Sequence, residues 1–230
     1  MSETSTTARH EQDQDPVVVY TAYEIDFMLG LRDTENGRIT REQIGLRSAP
    51  EEAREFVTAA VSSGLRARGK VERSGEGQWA LGEEGQIVAT ALTSADRWLG
   101  IALSEGPAMR MAFVVKADRA VLMLTQDELD SFQVTALPDP AVVPDSIADI
   151  VNAFLEDGAE RTVSLRRTDL ADPSDQVPMM MHVEPSGAWR LGHLPLDEEG
   201  VLSVSDLPRD KVAAAVAALW DEGTSAAPAR

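Results

Sequence analysis

Residues 64–85, GLRARGKVERSGEGQWALGEEG, hold the pattern in this 230-residue chain that is most specific for a supersecondary structure. Two short segments with strand character flank Gly75 and Gly77, and an acidic helix start follows them. Glycines between two such segments are typical of a hairpin, because glycine reaches the backbone conformations that close a tight turn. The stretch therefore predicts the end of a helix, a two-stranded hairpin and the start of another helix.

Three helical patterns lead up to this hairpin. The first begins with Thr21 as its N-cap and has Glu24 three residues later, which is the capping-box spacing. GRIT, residues 37–40, is predicted to be a short extended link, and a second helix then starts from Thr40 as its cap. The third helix follows Pro50, because proline is favoured in the first turn of a helix. Its predicted apolar stripe consists of Phe56, Val57, Ala60 and Val61.

The order of these elements divides the chain into two regions between two tails. A fourth helix begins in residues 83–103, and the order helix, helix, helix, hairpin, helix predicts a winged-helix-like region over residues 17–105. Residues 106–222 begin with a Gly-Pro pair and are strand-rich, which predicts an antiparallel or mixed sheet with helices. Residues 1–16 and 223–230 lack apolar periodicity and are predicted to be disordered tails. The fold class is therefore α+β.

Two pieces of the second region resemble each other. FQVTALPDPAVVPDSIADIVNAFLEDG and LSVSDLPRDKVAAAVAALWDEG each run from a strand through Leu-Pro and an acidic cap to an amphipathic helix and a glycine. Two units, over residues 109–158 and 160–223, would bury their helices against one sheet. A chance similarity stays open, because junctions between a strand and a helix share the same signals. The predicted core-facing residues of the two helices are Ile147, Ile150, Val151, Phe154, Val212, Val216, Leu219 and Trp220.

Residues that could build an enzyme active site are scarce. The chain has no cysteine and three histidines, which excludes thiolate chemistry and leaves little material for an imidazole metal site. SGEGQWALG contains G-x-G but opens a strand and lacks the third small residue of a nucleotide-binding turn. In MMMHVEP, Met180 and His182 would share one face of a strand and Met179 and Met181 the other, which favours packing over a soft-metal site. We therefore expect no enzyme, with no catalytic residue, cofactor or metal.

A winged helix would place four basic side chains against DNA phosphates. These are Arg66, Arg68, Lys70 and Arg73. The third helix would read the bases, but it opens with Glu51, Glu52 and Glu55. The chain has a formal net charge of −18, and residues 101–230 alone hold twenty-two acidic and ten basic residues. Because this charge repels a polyanion, protein docking is favoured and contact with nucleic acid is the alternative.

The chain also lacks the signals of membrane insertion or export. No run approaches the roughly 20 apolar residues that a membrane helix needs. The first residues, MSETSTTARHEQDQDP, have no apolar segment like that of a signal peptide. We therefore expect an acidic cytoplasmic protein with no membrane partner.

The two regions together resemble the EspG family, cytosolic chaperones of the actinobacterial type VII (ESX) secretion systems. YTAYEIDFMLGL is similar to the opening helix of that family, and VSSGLRARGKV is similar to the end of a later helix. VVKADRAVLMLTQDELDSFQVTALPDPAVVPDSIADIVNAFL and VLSVSDLPRDKVAAAVAALW resemble its strand–strand–strand–helix segment and its C-terminal strand–Pro–helix ending. The resemblance covers about half of the chain. It implies an α+β fold of two related halves that binds a helical secretion substrate of the PE–PPE type and keeps it in solution.

These observations predict a non-enzymatic, cytoplasmic protein-binding factor that acts as a chaperone for helical type VII secretion substrates. The alternative is a winged-helix transcription regulator whose C-terminal region senses a ligand or forms a dimer. No motif in the sequence matches a binding motif of the EspG family, so no partner-binding residue is assigned. A homodimer remains compatible with either function.

Overall fold

The computed structural model describes residues 18–73 and 78–225 and has a mixed α+β fold. The predicted tail of residues 1–16 and the predicted turn around Gly75–Gly77 lie outside the described residues. Of the predicted tail of residues 223–230, residues 226–230 also lie outside them, whereas residues 223–225 are described and Ser225 is buried. The helices are α1 (Ala22–Gly30), α2 (Glu35–Gln43), α3 (Arg54–Ala67), α4 (Glu83–Thr93), α5 (Val143–Glu156) and α6 (Val212–Ala217), the last continuing as a π-helical turn over Ala218–Glu222. None of the helices in the described part of the chain is both long and apolar enough to cross a membrane.

Within these residues, nine strands form one antiparallel sheet and two form a separate hairpin. The strands of the large sheet are β1 (Val18–Thr21), β4 (Arg97–Glu105), β5 (Ala108–Ala117), β6 (Ala120–Gln126), β7 (Ser131–Leu137), β8 (Arg161–Asp169), β9 (Asp172–Val183), β10 (Trp189–Leu196) and β11 (Leu202–Asp206). Their order across the sheet is β1-β7-β6-β5-β4-β8-β9-β10-β11. The hairpin consists of β2 (Val71–Arg73) and β3 (Trp79–Leu81), and confirms the strands predicted on either side of the glycine turn.

The same ββββα arrangement occurs twice along the chain. Unit 1 comprises β4–β7 and α5, residues 97–156, and unit 2 comprises β8–β11 and α6, residues 161–222. The first strands of the two units, β4 and β8, are adjacent and antiparallel, and the middle of their pairing is Ile101 opposite Leu165. The two units are therefore related by an approximate twofold axis at this pair. Unit 1 begins one strand earlier than the predicted start at residue 109, because β4 belongs to it, whereas unit 2 begins at residue 161, next to the predicted start at residue 160.

The two faces of the sheet are covered differently. On one face, α5 and α6 pack against each other and over both units, in a core that includes Leu99, Val151 and Val216. On the opposite face, α1, α2 and α4 pack only over unit 1, in a second core that includes Ile25 and Phe113. The helices that precede unit 1 therefore cover its sheet, whereas a short turn after α5 leads directly into unit 2.

Three details of the N-terminal helices differ from the sequence prediction. GRIT is not an extended link, because α2 begins after Thr34, whose side chain accepts a hydrogen bond from the Gly37 N–H at 3.0 Å. Thr40 is not a cap but a buried residue within α2, where its hydroxyl donates to the Leu92 carbonyl at 2.8 Å. The capping box of Thr21 and Glu24 at the start of α1 is confirmed.

The predicted apolar stripe of α3 is only partly directed towards the protein interior. Phe56 is 77% exposed, whereas the buried residues of this helix are Ser62 and Leu65. Val57 and Val61 are half-buried at the edge of a groove. The stripe prediction was wrong at Phe56 and at the exposed Ala60, because α3 lies at the periphery and contacts the core over its last turns.

The helix that follows the hairpin ends earlier than predicted. α4 stops at Thr93, and the residues from Arg97 onward form β4. Gly106, with φ +55°, closes the turn between β4 and β5, so the boundary placed between residues 105 and 106 falls within a hairpin. The apolar run WLGIAL fits a strand buried between two layers of helices, and periodicity alone does not distinguish such a strand from a helix.

Candidate functional site

The side of the sheet that carries α1, α2 and α4 over unit 1 is uncovered over unit 2. Register places alternate residues of β8–β11 on this side, and most of them are exposed or half-buried. We call this surface the open face. Its main side chains are Ser164, Arg166, Pro178, Met180, Leu202 and Val204.

A cavity of about 540 Å³ lies over the open face and continues to the edge of the covered half. The C-terminal end of α2 bounds it, because the Thr168 hydroxyl on β8 donates to the Gln43 Oε1 at 2.9 Å. Met111 lines it from unit 1 and Leu202 from the outermost strand of unit 2. The helical region thus reaches the first strand of unit 2 and ends there.

Equivalent positions in the two units explain why one half is covered and the other is open. Trp98 and Phe113 of unit 1 are buried, and Trp98 donates its indole N–H to the Thr40 hydroxyl at 3.0 Å. The approximate twofold axis relates them to Thr162 and Met180 of unit 2, which are half-buried and 37% exposed, respectively. Unit 2 therefore has a smaller and more polar side chain in place of the tryptophan, and a flexible methionine in place of the phenylalanine.

One pair of equivalent positions has the same residue in both units. Val134 on β7 pairs with Leu124 and is 5% exposed, whereas Val204 on β11 pairs with Gly192 and is 65% exposed. Gly192 of unit 2 is equivalent to Leu124 of unit 1 and has no side chain, so the open face is shallow at this point. The side chain of Leu202 occupies part of this space, since it lies within 3.5 Å of a Cβ built on Gly192.

The charged side chains around the open face are paired with one exception. Arg190 forms ion pairs with Glu184, at 2.8 Å, and with Asp206. Among the described residues that line the cavity, Glu42 is the one carboxylate, and Arg38 binds it at 3.1 Å. Arg166 is exposed, and its guanidinium has neither a hydrogen bond nor an ion pair with any part of the chain that the structure describes.

The polar groups of this surface do not form a recognisable catalytic arrangement. The His182 Nδ1 lies 2.9 Å from the Thr162 hydroxyl, and both side chains are on the open face. Within residues 18–73 and 78–225, no group of three or more acidic, histidine or cysteine side chains is placed to hold a metal ion. Met180 shares the face of His182, whereas Met179 and Met181 are buried on the other side, as alternation along the strand predicted.

A second groove lies between α1, α3 and the hairpin. Its volume is about 500 Å³, and it is lined by Tyr23, Phe27, Val57, Val61 and Trp79 among others. Phe27 and Trp79 meet edge to face with their ring centroids 6.4 Å apart. We call this surface the helical groove. It is apolar and accessible, but the charged groups at its ends, including the Asp26–Arg41 ion pair at 2.7 Å, are of both signs.

The four basic residues that were predicted for nucleic-acid contact lie near the base of the hairpin, and three of them interact with other side chains. Arg68 forms an ion pair with Glu24, and the Lys70 Nζ lies 2.5 Å from Glu84 Oε1. The Arg73 guanidinium lies over the ring of Trp79, 5.6 Å from its centroid. Arg66 is exposed at the end of α3. Glu51, Glu52 and Glu55 are exposed at the opposite end of the same helix.

The carboxylate that binds Lys70 also organises a buried tyrosine. The Tyr20 hydroxyl donates to the Glu84 Oε1 at 2.8 Å. Burial of Tyr20, followed by its hydrogen bond to Glu84, raises the pKa of the phenol. Burial alone would raise the pKa of Glu84, but the hydrogen bonds from Lys70 and Tyr20 outweigh it and lower that pKa. The cluster therefore joins the base of the hairpin to α4 and β1, which is a structural role.

Comparison with known proteins adds no further assignment, since no protein-family model and no curated protein matches this sequence. The open face was not found from the sequence, because it is defined by the absence of a covering element. The one signal available was the asymmetry of the repeat: four helices between residues 22 and 93 precede the first copy of the strand–helix unit, and a short turn precedes the second.

Proposed function

We propose that this protein is a non-enzymatic, cytoplasmic chaperone that binds an apolar segment of a helical protein partner on its open face. The observation that carries the proposal is the exposure of Val204 at a position equivalent to the buried Val134. In unit 1, helices of the same chain cover this side of the sheet. In unit 2 the corresponding surface has apolar side chains and a cavity, and nothing in the described residues covers it.

In unit 1, helices of the same chain cover the face that is open in unit 2, which supports a helix as the part of the partner that binds there. α4 contacts β5 and β6, and its buried residues Val88 and Leu92 pack with Phe113 and Leu122 on the side that is open in unit 2. An α-helix has no backbone donors or acceptors to satisfy along its length, so it can cover a sheet face through side chains alone. The resemblance to the EspG family supports the same class of partner, a helical secretion substrate of the PE–PPE type.

The acidic surface supports a role in keeping a partner in solution. The net charge of −18 opposes association between copies of the chain, and the open face holds one cation, Arg166, that has no ion pair within the described residues. The partner would thus be attracted to one part of the protein and the rest would remain solvated. This distribution also opposes unspecific binding of nucleic acid.

The test is affinity co-purification from the native host with three versions of the full chain. Wild type, the open-face variant Met180→Asp/Val204→Asp and the control variant Leu129→Asp are compared, because Leu129 is 85% exposed on the turn between β6 and β7 of unit 1. We expect wild type and Leu129→Asp to retain the same predominantly helical protein, of the PE–PPE type, and the open-face variant to lose it. Equal recovery by all three versions would contradict the proposal.

The alternative of DNA binding keeps one favourable observation, the exposed Arg66 beside the hairpin. It is weakened by the ion pairs of Arg68 and Lys70, which would have to be broken or shared for either side chain to contact phosphate. A mobility-shift assay at two salt concentrations tests it. Binding that falls steeply with salt and is lost in Arg66→Ala/Arg73→Ala would favour a regulator, and absence of binding at low salt would eliminate it.

A further inference from the structure

We propose that the partner segment bound on the open face carries a carboxylate within its apolar surface, and that this carboxylate pairs with Arg166. This inference rests on the proposed function of the open face and specifies the chemistry of the partner. It follows from the position of Arg166, from the state of the other charges on the same surface and from the free energy of desolvating a cation.

Arg166 lies on β8, the innermost strand of the open face. Its neighbours across the sheet are Gly100 on β4 and Pro178 on β9, neither of which carries a polar side chain. Diagonally adjacent to it lie Ala102 and Met180. Ser164 and Gln176 line the same cavity, so the guanidinium emerges among apolar and uncharged polar side chains of β4, β8 and β9.

Within residues 18–73 and 78–225, no carboxylate forms an ion pair with this cation. Glu42 is held by Arg38, and Glu184 and Asp206 are held by Arg190. A partner that covers the open face removes water from Arg166, and an unpaired cation in a dry interface is strongly unfavourable. An acidic side chain of the partner compensates for this desolvation and also fixes the position of the partner on the sheet.

The approximate symmetry of the two units shows that the charge is specific to unit 2. The position equivalent to Arg166 in unit 1 is Ala102, one residue from the centre of the β4–β8 pairing. Ala102 is uncharged and half-buried where the cavity continues onto unit 1. The buried face of α4 likewise has no charged residue. A partner helix with the same contact face would therefore leave Arg166 unpaired, and the partner's face must contain at least one acidic residue.

The experiment is selection of a displayed library of helical peptides on the full-length protein. Each peptide has a face of Leu, Ala, Val and Met in which one central position is fully randomised. Selection is carried out on wild type, on Arg166→Glu, on Met180→Asp and on Arg119→Glu, a control with an exposed arginine that likewise has no ion pair within the described chain. Circular dichroism and thermal unfolding verify that each variant is folded.

We expect peptides that bind wild type and fail to bind Met180→Asp to contain Asp or Glu at the randomised position. Arg166→Glu should select Lys or Arg there, and Arg119→Glu should select the same residues as wild type. An enriched peptide should bind Arg166→Gln at least about tenfold more weakly than wild type, as expected for a charge pair that is desolvated in an interface.

Two other outcomes are distinguishable. Peptides that require Met180 but show no acidic preference would overturn the inference about Arg166 and leave the proposed function intact. Failure to select any peptide that requires Met180 would overturn both, because the open face would then not bind helices.

Discussion

The two ββββα units place the same sheet against different surroundings. In unit 1, Trp98, Phe113 and Leu124 are large and buried, whereas in unit 2 the equivalent positions hold Thr162, Met180 and Gly192. The opposite side of both units is alike, since α5 and α6 pack together over it. Two units with the same strand order can therefore have a buried core or an accessible surface on the same face, with different side chains at the equivalent positions.

The largest difference between the units is expected at the tryptophan position. Trp98→Ala removes a buried ring and its hydrogen bond to Thr40, and should lower the free energy of unfolding by about 3–5 kcal/mol. Thr162→Ala, at the equivalent position of the open half, should lower it by less than about 1 kcal/mol. Urea denaturation of both variants measures this contrast. Similar losses at the two positions would mean that the open face is as essential to the fold as the covered one.

A second difference concerns the C-terminal end of α5 and the end of the π-helical turn that continues α6. In unit 2, Arg167 is buried and its Nη1 donates to the carbonyls of Leu219 and Trp220, each at 2.8 Å. At the end of α5, in unit 1, the acceptor is the single carbonyl of Phe154, to which the Nη1 of Arg161, the first residue of unit 2, donates at 2.9 Å. Both arginines interact with the negative end of the helix dipole.

Arg167→Ala should therefore be more destabilising than Arg161→Ala. We expect a loss of roughly 3 kcal/mol for Arg167→Ala, because it leaves two buried carbonyls and Asp169 with fewer donors. For Arg161→Ala we expect roughly 1 kcal/mol. Thermal and urea unfolding give both values, and Arg161→Lys serves as a control that keeps the charge. A larger loss at Arg161 would contradict this interpretation of the two helix ends.

The valine pair offers a closely matched comparison. Val134→Thr introduces a hydroxyl into a buried site and should cost about 1–3 kcal/mol. Val204→Thr places the same hydroxyl on an exposed surface and should change stability by less than about 0.5 kcal/mol. The two substitutions are identical in chemistry, so the difference in unfolding free energy reports burial alone. Equal effects would show that the open face is covered in solution, for example by a second copy.

How much of this could be predicted from sequence depends on the kind of information each feature needs. The capping box at Thr21 and the core residues Ile147 and Val216 follow from local spacing, and they are confirmed. Thr40 was misassigned because its hydroxyl bonds to Leu92, 52 residues away in the chain, and local pattern cannot distinguish such a contact from a cap. The strand at WLGIAL was missed because both of its faces are buried.

The position of the open face depends on contacts between residues that are even further apart in the sequence. Met180 and His182 were correctly predicted to lie on the same side of a strand, but the sequence does not state what lies above them. The pairing of β4 with β8, which places the two units side by side, joins residues about 64 positions apart. Three features stay predictions: the EspG resemblance, the winged-helix-like region and the chaperone function.

The smallest expected effect is the pH dependence of the ion pairs of Asp169, one with Arg97 of unit 1 and one with Arg167 of unit 2. Burial raises the pKa of Asp169, but hydrogen bonds from Arg97 and Arg167 outweigh it and lower that pKa below its ordinary value of 3.8. Because the folded-state pKa is the lower one, the ionised carboxylate stabilises the fold. This stabilisation is present above the unfolded-state pKa and is lost as the pH falls through the folded-state pKa.

Asp169→Asn should accordingly be less stable than wild type at pH 7, and the difference should shrink as the pH falls from about 5 to about 3. Urea unfolding across this range gives the measurement, with Asp175→Asn as the control because Asp175 is exposed on the neighbouring strand. A difference that does not change with pH would show that the ion pairs of Asp169 do not contribute through its charge.

Site-specific photo-crosslinking in the native host tests whether the open face is occupied by a partner. A photoreactive residue replaces Val204 in one version of the protein and Leu129 in another, both positions being exposed in the free chain. We predict an adduct with one helical protein from position 204 and none from position 129, and loss of the adduct when Arg166→Glu is introduced. If position 129 captures the same protein while position 204 captures nothing, the open face is not the binding surface.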